Sequence, residues 1–262
     1  MIRIFHEAPI SIMDEVQKLT GGDYCLPHLM DQNEEYKKFF IEAKNKGRYI
    51  IMDNSLHELG TAYNTERLMY WINEIKPQEF IVPDVWENCA QSIRNAKEWS
   101  KIELPEEVTK VAVVQANSFG EAFLCYHNYK DLGYKKIAFS YGAKYYANFI
   151  PHPNKDIAKA LGRIHVISKL YEEKIILDND RIHLLGCCIP QEFGFYKEFP
   201  FIESIDTSNP VMAAYEGKSY NAFGLRDKPK LNMNEIFNLP KNEGNFDLVK
   251  HNIRMFKTIN SL

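Results

Sequence analysis

A chain of 262 residues has room for one large domain, and single α/β barrels commonly occupy roughly 200 to 250 residues. Hydrophobic residues make up 45% and charged residues 26%, which excludes a disordered chain and leaves ample apolar material for a core. The net charge of -3 excludes capture of a polyanion by the global field, so any nucleic acid must be held by a local basic patch.

The N-terminus, MIRIFHEAPISIMDEV, carries no basic start followed by a long apolar run, and no apolar stretch reaches the roughly 18 residues that a membrane span requires. A soluble cytoplasmic protein is expected. Cys25, Cys89, Cys125, Cys187 and Cys188 contain no CxxC pair and read as free thiols of a reducing compartment.

In chain order the patterning predicts a strand over Ile2 to Phe5, a helix over Ile10 to Leu19, a strand over Tyr24 to His28 and a helix over Asn33 to Lys46. Next come strand Tyr49 to Asp53, helix Thr65 to Ile75, strand Glu79 to Asp84, helix Trp86 to Lys101, strand Lys110 to Gln115 and helix Phe119 to Leu132. Strand Lys136 to Tyr141, helix Lys155 to Glu173, strand Ile182 to Gly186 and strand Glu203 to Thr207 complete the alternation. Ala213 to Pro240 reads as a long loop and Asn245 to Ser261 as a closing helix. Short β-branched runs alternating with helices imply a parallel sheet with crossovers. An open doubly wound sheet alternates in the same way but usually carries a glycine-rich phosphate turn after its first strand. Neither GxGxxG nor GxxxxGK[ST] occurs here, so a (β/α)8 TIM-type barrel is expected, one domain over residues 1–262 with strands to about 207.

In such a barrel chemistry sits at the carboxyl ends of the strands. The third strand ends at Asp53, the fourth at Asp84, the fifth at Gln115, the sixth at Ser140 with Gly142 beyond, the seventh at Gly186 and the eighth at Asp206. Any one of the Asp or Ser residues can cap the helix after it. Three carboxylates and a carboxamide on one rim point instead to a site, because burying them without partners costs some kcal/mol each. Two carboxyl groups in one pocket divide labour as nucleophile and acid. The remaining Asp and Gln offer the donors and acceptors that the polar edge of a guanine or deazaguanine requires.

These strand ends resemble those of the tRNA-guanine transglycosylase superfamily, and more closely its short phage-type members that insert 7-deazaguanines into DNA. Asp53-Asn54-Ser55-Leu56-His57 is similar to the DSGGF-like motif of the third strand, without its paired glycines. Pro83-Asp84-Val85 is similar to the FDE-like motif, Val114-Gln115-Ala116 to VQG, and Leu184-Leu185-Gly186 to LMG, and Gly142 corresponds to a glycine behind the base. Asp206 stands four residues before Pro210, the spacing of the family's nucleophile; Asn209, reached by a slip of three residues, would be inert.

The resemblance implies Asp206 as nucleophile, Asp53 as general acid/base, and Asp84, Gln115, Gly142, Gly186, Asn54 and Ser55 as base-binding residues. It also implies a guanine or 7-deazaguanine substrate and no redox cofactor. No cysteine lies beyond Cys188, so the C-terminal zinc subdomain of the tRNA-acting relatives is expected to be absent and no metal is expected. DNA then fits better than tRNA as the polymer. A hydrolase that releases a base, and an inactive nucleic-acid-binding subunit, remain as alternatives; the oligomeric state is open. A base in a duplex must leave the stack to reach such a pocket, and Trp86, Tyr141 and Tyr145 are candidates to stack on it. Lys218, Arg226, Lys228 and Lys230 are candidates to hold phosphates, and His57 to touch the substrate. His28 and His183 read as satisfied barrel residues.

Overall fold

A computed structural model describes residues 2–262. Its strands, in chain order, are β1 (Arg3–Phe5), β2 (Asp23–Cys25), β3 (Ile50–Met52), β4 (Glu79–Ile81), β5 (Thr109–Val114), β6 (Lys136–Ser140), β7 (Ile182–Leu185) and β8 (Ile202–Asp206). They form one eight-stranded parallel sheet in the order β1-β8-β7-β6-β5-β4-β3-β2. This is the (β/α)8 TIM-type fold that the alternation implies. Most strand residues are buried, as expected where helices cover a parallel sheet. Among the described residues no helix is long and apolar enough to cross a membrane.

The chain divides into two compact units, residues 22–140 with 180–182, and residues 2–21 with 141–179 and 183–262. In the first, β2 to β6 pair in succession in parallel register, from Asp23 opposite Ile50 to Val114 opposite Phe139. The covering helices each begin where a side-chain oxygen accepts from the first turn: Asn33 from Tyr36 N, Asn64 from Arg67 N, Asn88 from Gln91 N and Ser118 from Glu121 N. Such caps satisfy backbone donors that have no partner within the helix. At the amino ends of the strands Glu79 is fully buried and accepts from Lys136 Nζ at 2.7 Å and from the Tyr49 hydroxyl. Cys25, Cys89 and Cys125 are buried in this unit, the last two with their sulfurs 2.8 Å apart.

In the second unit β1 pairs with β8, Phe5 opposite Asp206. Helix Lys155–Glu172 starts at the Asn154 cap and helix Glu243–Asn260 at the Asn242 cap. Asn252 in the last helix is fully buried. It donates to Pro210 O at 3.1 Å and Lys218 O at 3.0 Å, and accepts from Tyr220 N at 2.8 Å. Cys187 and Cys188 are buried in this unit.

Several boundaries differ from those read in the sequence. His28 is not at a strand end: β2 stops at Cys25 and His28 lies in helix Pro27–Gln32, whose first position is the proline. That placement matches proline's preset φ and missing N–H. The helix read from Trp86 starts at Cys89, because Glu87 adopts a left-handed φ of 49°. The segment read as a loop from Ala213 is helical to Tyr215, in a helix Asn209–Tyr215 opened by Pro210, and a second short helix, Met233–Ile236, interrupts the rest of that segment.

Candidate active site

In the first unit the polar group begins at the end of β3. Asp53 is buried, and its Oδ2 accepts from Ser55 N at 3.0 Å. That closes a tight turn in which Ser55 takes a left-handed φ of 64°, a conformation uncommon outside glycine. Ser55 is fully buried with its hydroxyl 2.7 Å from His28 Nδ1, and burial pushes the His28 ring down to about 4. Asn54 donates from Nδ2 to Val82 O at 2.9 Å and to Asp84 Oδ1 at 2.7 Å, and its own Oδ1 accepts from Leu56 N at 2.9 Å. Asp84 Oδ2 accepts from Gln115 Nε2 at 2.7 Å, and Gln115 Oε1 accepts from Glu87 N at 3.1 Å. Asn54, Asp84 and Gln115, on three successive strand ends, are thus one connected network. Burial pushes the Asp84 carboxyl up to about 6, opposed by the Gln115 and Asn54 donors. The left-handed Glu87 has a role here, since it turns its N–H onto Gln115. Trp86 is half-exposed with its ring 5.9 Å from that of His57.

In the second unit Asp206 ends β8, buried, and two donors converge on its Oδ1. His183 Nε2 lies at 2.9 Å and Gly186 N donates at 3.2 Å. An ionised carboxylate only accepts, so the ring proton sits on Nε2; when the ring is neutral, Nδ1 accepts from the Ser204 hydroxyl 2.8 Å away. His183 is fully buried, so the reading of it as a satisfied barrel residue holds, and its partner is the carboxylate singled out as nucleophile. Gly186 has a φ of 57°, and a Cβ there would come within 2.4 Å of the Tyr141 ring. Its carbonyl and that of Leu185 accept from the Arg163 guanidinium at 2.8 Å and 2.9 Å. Arg163 is itself buried and paired with Glu192 at 2.6 Å.

Gly142 lies just after β6 with a φ of 77° and open space before its Cα. Of the aromatic candidates in this unit, Tyr141 packs on Gly186 and accepts from Lys228 Nζ at 2.8 Å, and Tyr145 is buried against Tyr146. Of the basic candidates, Lys218 pairs with Glu216, Lys228 is half-buried against Tyr141, and Arg226 and Lys230 are exposed.

The sequence alone did not point to Arg163, to His6 or to the orienting part played by His183. His6 Nδ1 lies 2.7 Å from Thr207 O, and burial pushes the ring down to about 4. The available signal was positional: His183 lies inside β7 and Asp206 ends β8, its neighbour in the sheet. Nothing in a helix sequence marks Arg163 as pointing to the end of β7. Among the described residues no group of three or more His, Cys, Asp or Glu side chains could hold a metal ion. Comparison with known protein families finds none that matches the chain, and comparison with curated proteins finds no match either.

Proposed function

We propose that this protein is a base-exchange transglycosylase that replaces guanine in a nucleic acid, DNA in the first place, with a 7-deazaguanine through a covalent aspartyl-sugar ester. The observation that carries the proposal is Asp206. Its Oδ1 is held by His183 and by the Gly186 N–H, which fixes the orientation of the carboxyl group, and we assign Oδ2 to the attack. In this reading Oδ2 bonds to C1′ of the nucleotide as the C1′–N9 bond breaks, and its electron pair leaves with the base. Asp53 supplies a proton to the departing guanine and takes one from the incoming base, which then displaces Asp206 from C1′. Dividing a displacement through a carboxylate ester is the logic of retaining glycosidases.

Asp84 and Gln115 are assigned to the polar edge of the base. Each retains capacity beyond the bonds described: a carboxylate has about four acceptor sites and a carboxamide nitrogen has two protons. Ser55 adds support from the resemblance, because its left-handed backbone stands where the related motif carries a glycine. Asn54 holds Asp84 in place, and the left-handed turn at Gly142, with open space before its Cα, leaves room for the purine, whereas Gly186 is closed by the Tyr141 ring and serves through its N–H on Asp206.

The test is incubation of the purified protein with radiolabelled guanine and either duplex DNA or tRNA, with Asp206→Asn as control. Label in DNA that the variant fails to incorporate supports the proposal. Label in tRNA alone keeps the mechanism and changes the polymer. Abasic sites without label identify a hydrolase. Equal results for wild type and Asp206→Asn overturn the assignment of the nucleophile.

A further inference from the structure

Phe223 is 85% exposed, far more than any other large hydrophobic side chain among the described residues. Isolated exposed apolar residues are ordinary, but this one stands on a loop whose backbone is pinned at successive positions. Gly224 N donates to Asn221 O at 3.0 Å, and Phe223 N to Asn221 Oδ1 at 2.8 Å. The Gln191 side chain holds both backbone groups of Leu225, donating to its oxygen at 2.7 Å and accepting from its nitrogen at 3.2 Å. Asn154 Nδ2 donates to Arg226 O at 2.8 Å and to Asp227 Oδ1 at 2.9 Å. Lys228 N donates to Asp156 Oδ2 at 3.2 Å, and its ammonium lies 4.3 Å from the centre of the Tyr141 ring. The ring of Phe223 is therefore offered to solvent from a fixed base.

The same bonds say where that base is. Tyr141 comes directly after β6, Gln191 comes after β7, and the Tyr220 hydroxyl donates to Asn209, three residues beyond Asp206. The turn thus stands on the strand ends that carry Asp206. Arg226 and Lys230, three and seven residues beyond Phe223, are exposed on the same loop, with the exposed Asp227 between them, so the apolar tip is followed by cations in the chain. Proteins that insert an apolar side chain between bases combine it with Arg and Lys contacts to the nucleic acid. Removing a base from a duplex leaves a gap whose unstacking must be offset.

We propose that Phe223 is a wedge that enters duplex DNA and fills the stack position vacated by the nucleotide delivered to Asp206; the inference rests on the base-exchange reading above. Stacking is insensitive to base identity, so the wedge lowers the cost of extrusion without choosing the sequence. It acts by positioning and touches neither the reacting carbon nor the departing base.

The experiment compares the full-length protein with Phe223→Ala and Phe223→Leu, measuring labelled-guanine exchange and affinity on a duplex and on the single strand of the same sequence. Phe223→Ala is expected to lower kcat/KM on the duplex by between about fivefold and a hundredfold, the range seen when an aromatic–base stack is removed, and to leave the single strand unchanged. Phe223→Leu, still an apolar wedge, is expected to restore most of the loss. Equal loss on both substrates, or none on the duplex, overturns the wedge while leaving base exchange intact. Wild-type exchange confined to tRNA also overturns it. A wild-type protein that neither binds nor exchanges on any polymer overturns the base-exchange reading, and the wedge falls with it.

Discussion

Arg163 carries more of the candidate site than its position midway along a helix suggests. Its guanidinium holds the carbonyls of Leu185 and Gly186 and the carboxylate of Glu192, and a lysine cannot reproduce that planar fork. Arg163→Lys is expected to destabilise the protein by about 3 kcal/mol, the range for breaking a buried pair, as read by urea denaturation. At temperatures where it stays folded, the variant should lose exchange activity through kcat, because the Gly186 N–H no longer meets Asp206 squarely. Asp84 gives a pH signature. Its carboxyl titrates near 6 in the folded chain, against about 3.9 when unfolded, so the fold binds that proton more tightly. The stability it contributes is fully present below about pH 4, declines as pH rises to about 6 and is lost above that, a change of at most about 3 kcal/mol. Denaturation midpoints across this range should show the decline in wild type and not in Asp84→Asn. Over the same interval exchange activity should rise with pH, since only the ionised carboxyl accepts from the base edge at both oxygens. The candidate residues were legible in the sequence because polar side chains interrupt apolar runs at strand ends. Their support was not, because Arg163 and His183 reach Gly186 and Asp206 from elements distant in sequence.

At the scale of elements, the alternation of short β-branched runs with capped helices was sufficient to read all eight strands and the main crossovers. Two of the misreadings share a cause. Pro27 and Pro210 begin short helices immediately after strands, and a run of six or seven residues shows too little of the helical period to stand apart from a turn. The helix Asn209–Tyr215 matters because it fixes the direction in which β8 delivers Asp206, and Asn252 holds it by bonds on three sides. Asn252→Leu is expected to cost about 2–4 kcal/mol, because it leaves buried backbone groups of Pro210, Lys218 and Tyr220 unpaired. Thermal denaturation reads that loss. At the opposite end of the strands, Lys136→Met strips Glu79 of its buried ammonium and is expected to cost about 3–5 kcal/mol without altering the KM for the incoming base.

For the whole molecule, the net charge of -3 gives no global attraction to a polyanion, so in the base-exchange reading DNA would be held by a few local contacts. The affinity should therefore fall with salt less steeply than for strongly basic proteins. Each contact removed in Arg226→Ala or Lys230→Ala should reduce the slope of log affinity against log salt by about one, whereas Lys218→Ala, whose ammonium already pairs with Glu216, should leave it unchanged. The five cysteines are all buried and shared between the two compact units, three in one and two in the other. Burial raises every one of these thiols above its ordinary range, Cys188 to about 11. A maleimide added to the native protein is therefore blocked until the chain opens, and peptide mapping of the label separates Cys25, Cys89 and Cys125 from Cys187 and Cys188. Matching labelling rates for the two sets mean that both halves of the sheet open in one cooperative event; faster capture of one set marks the half that unravels first.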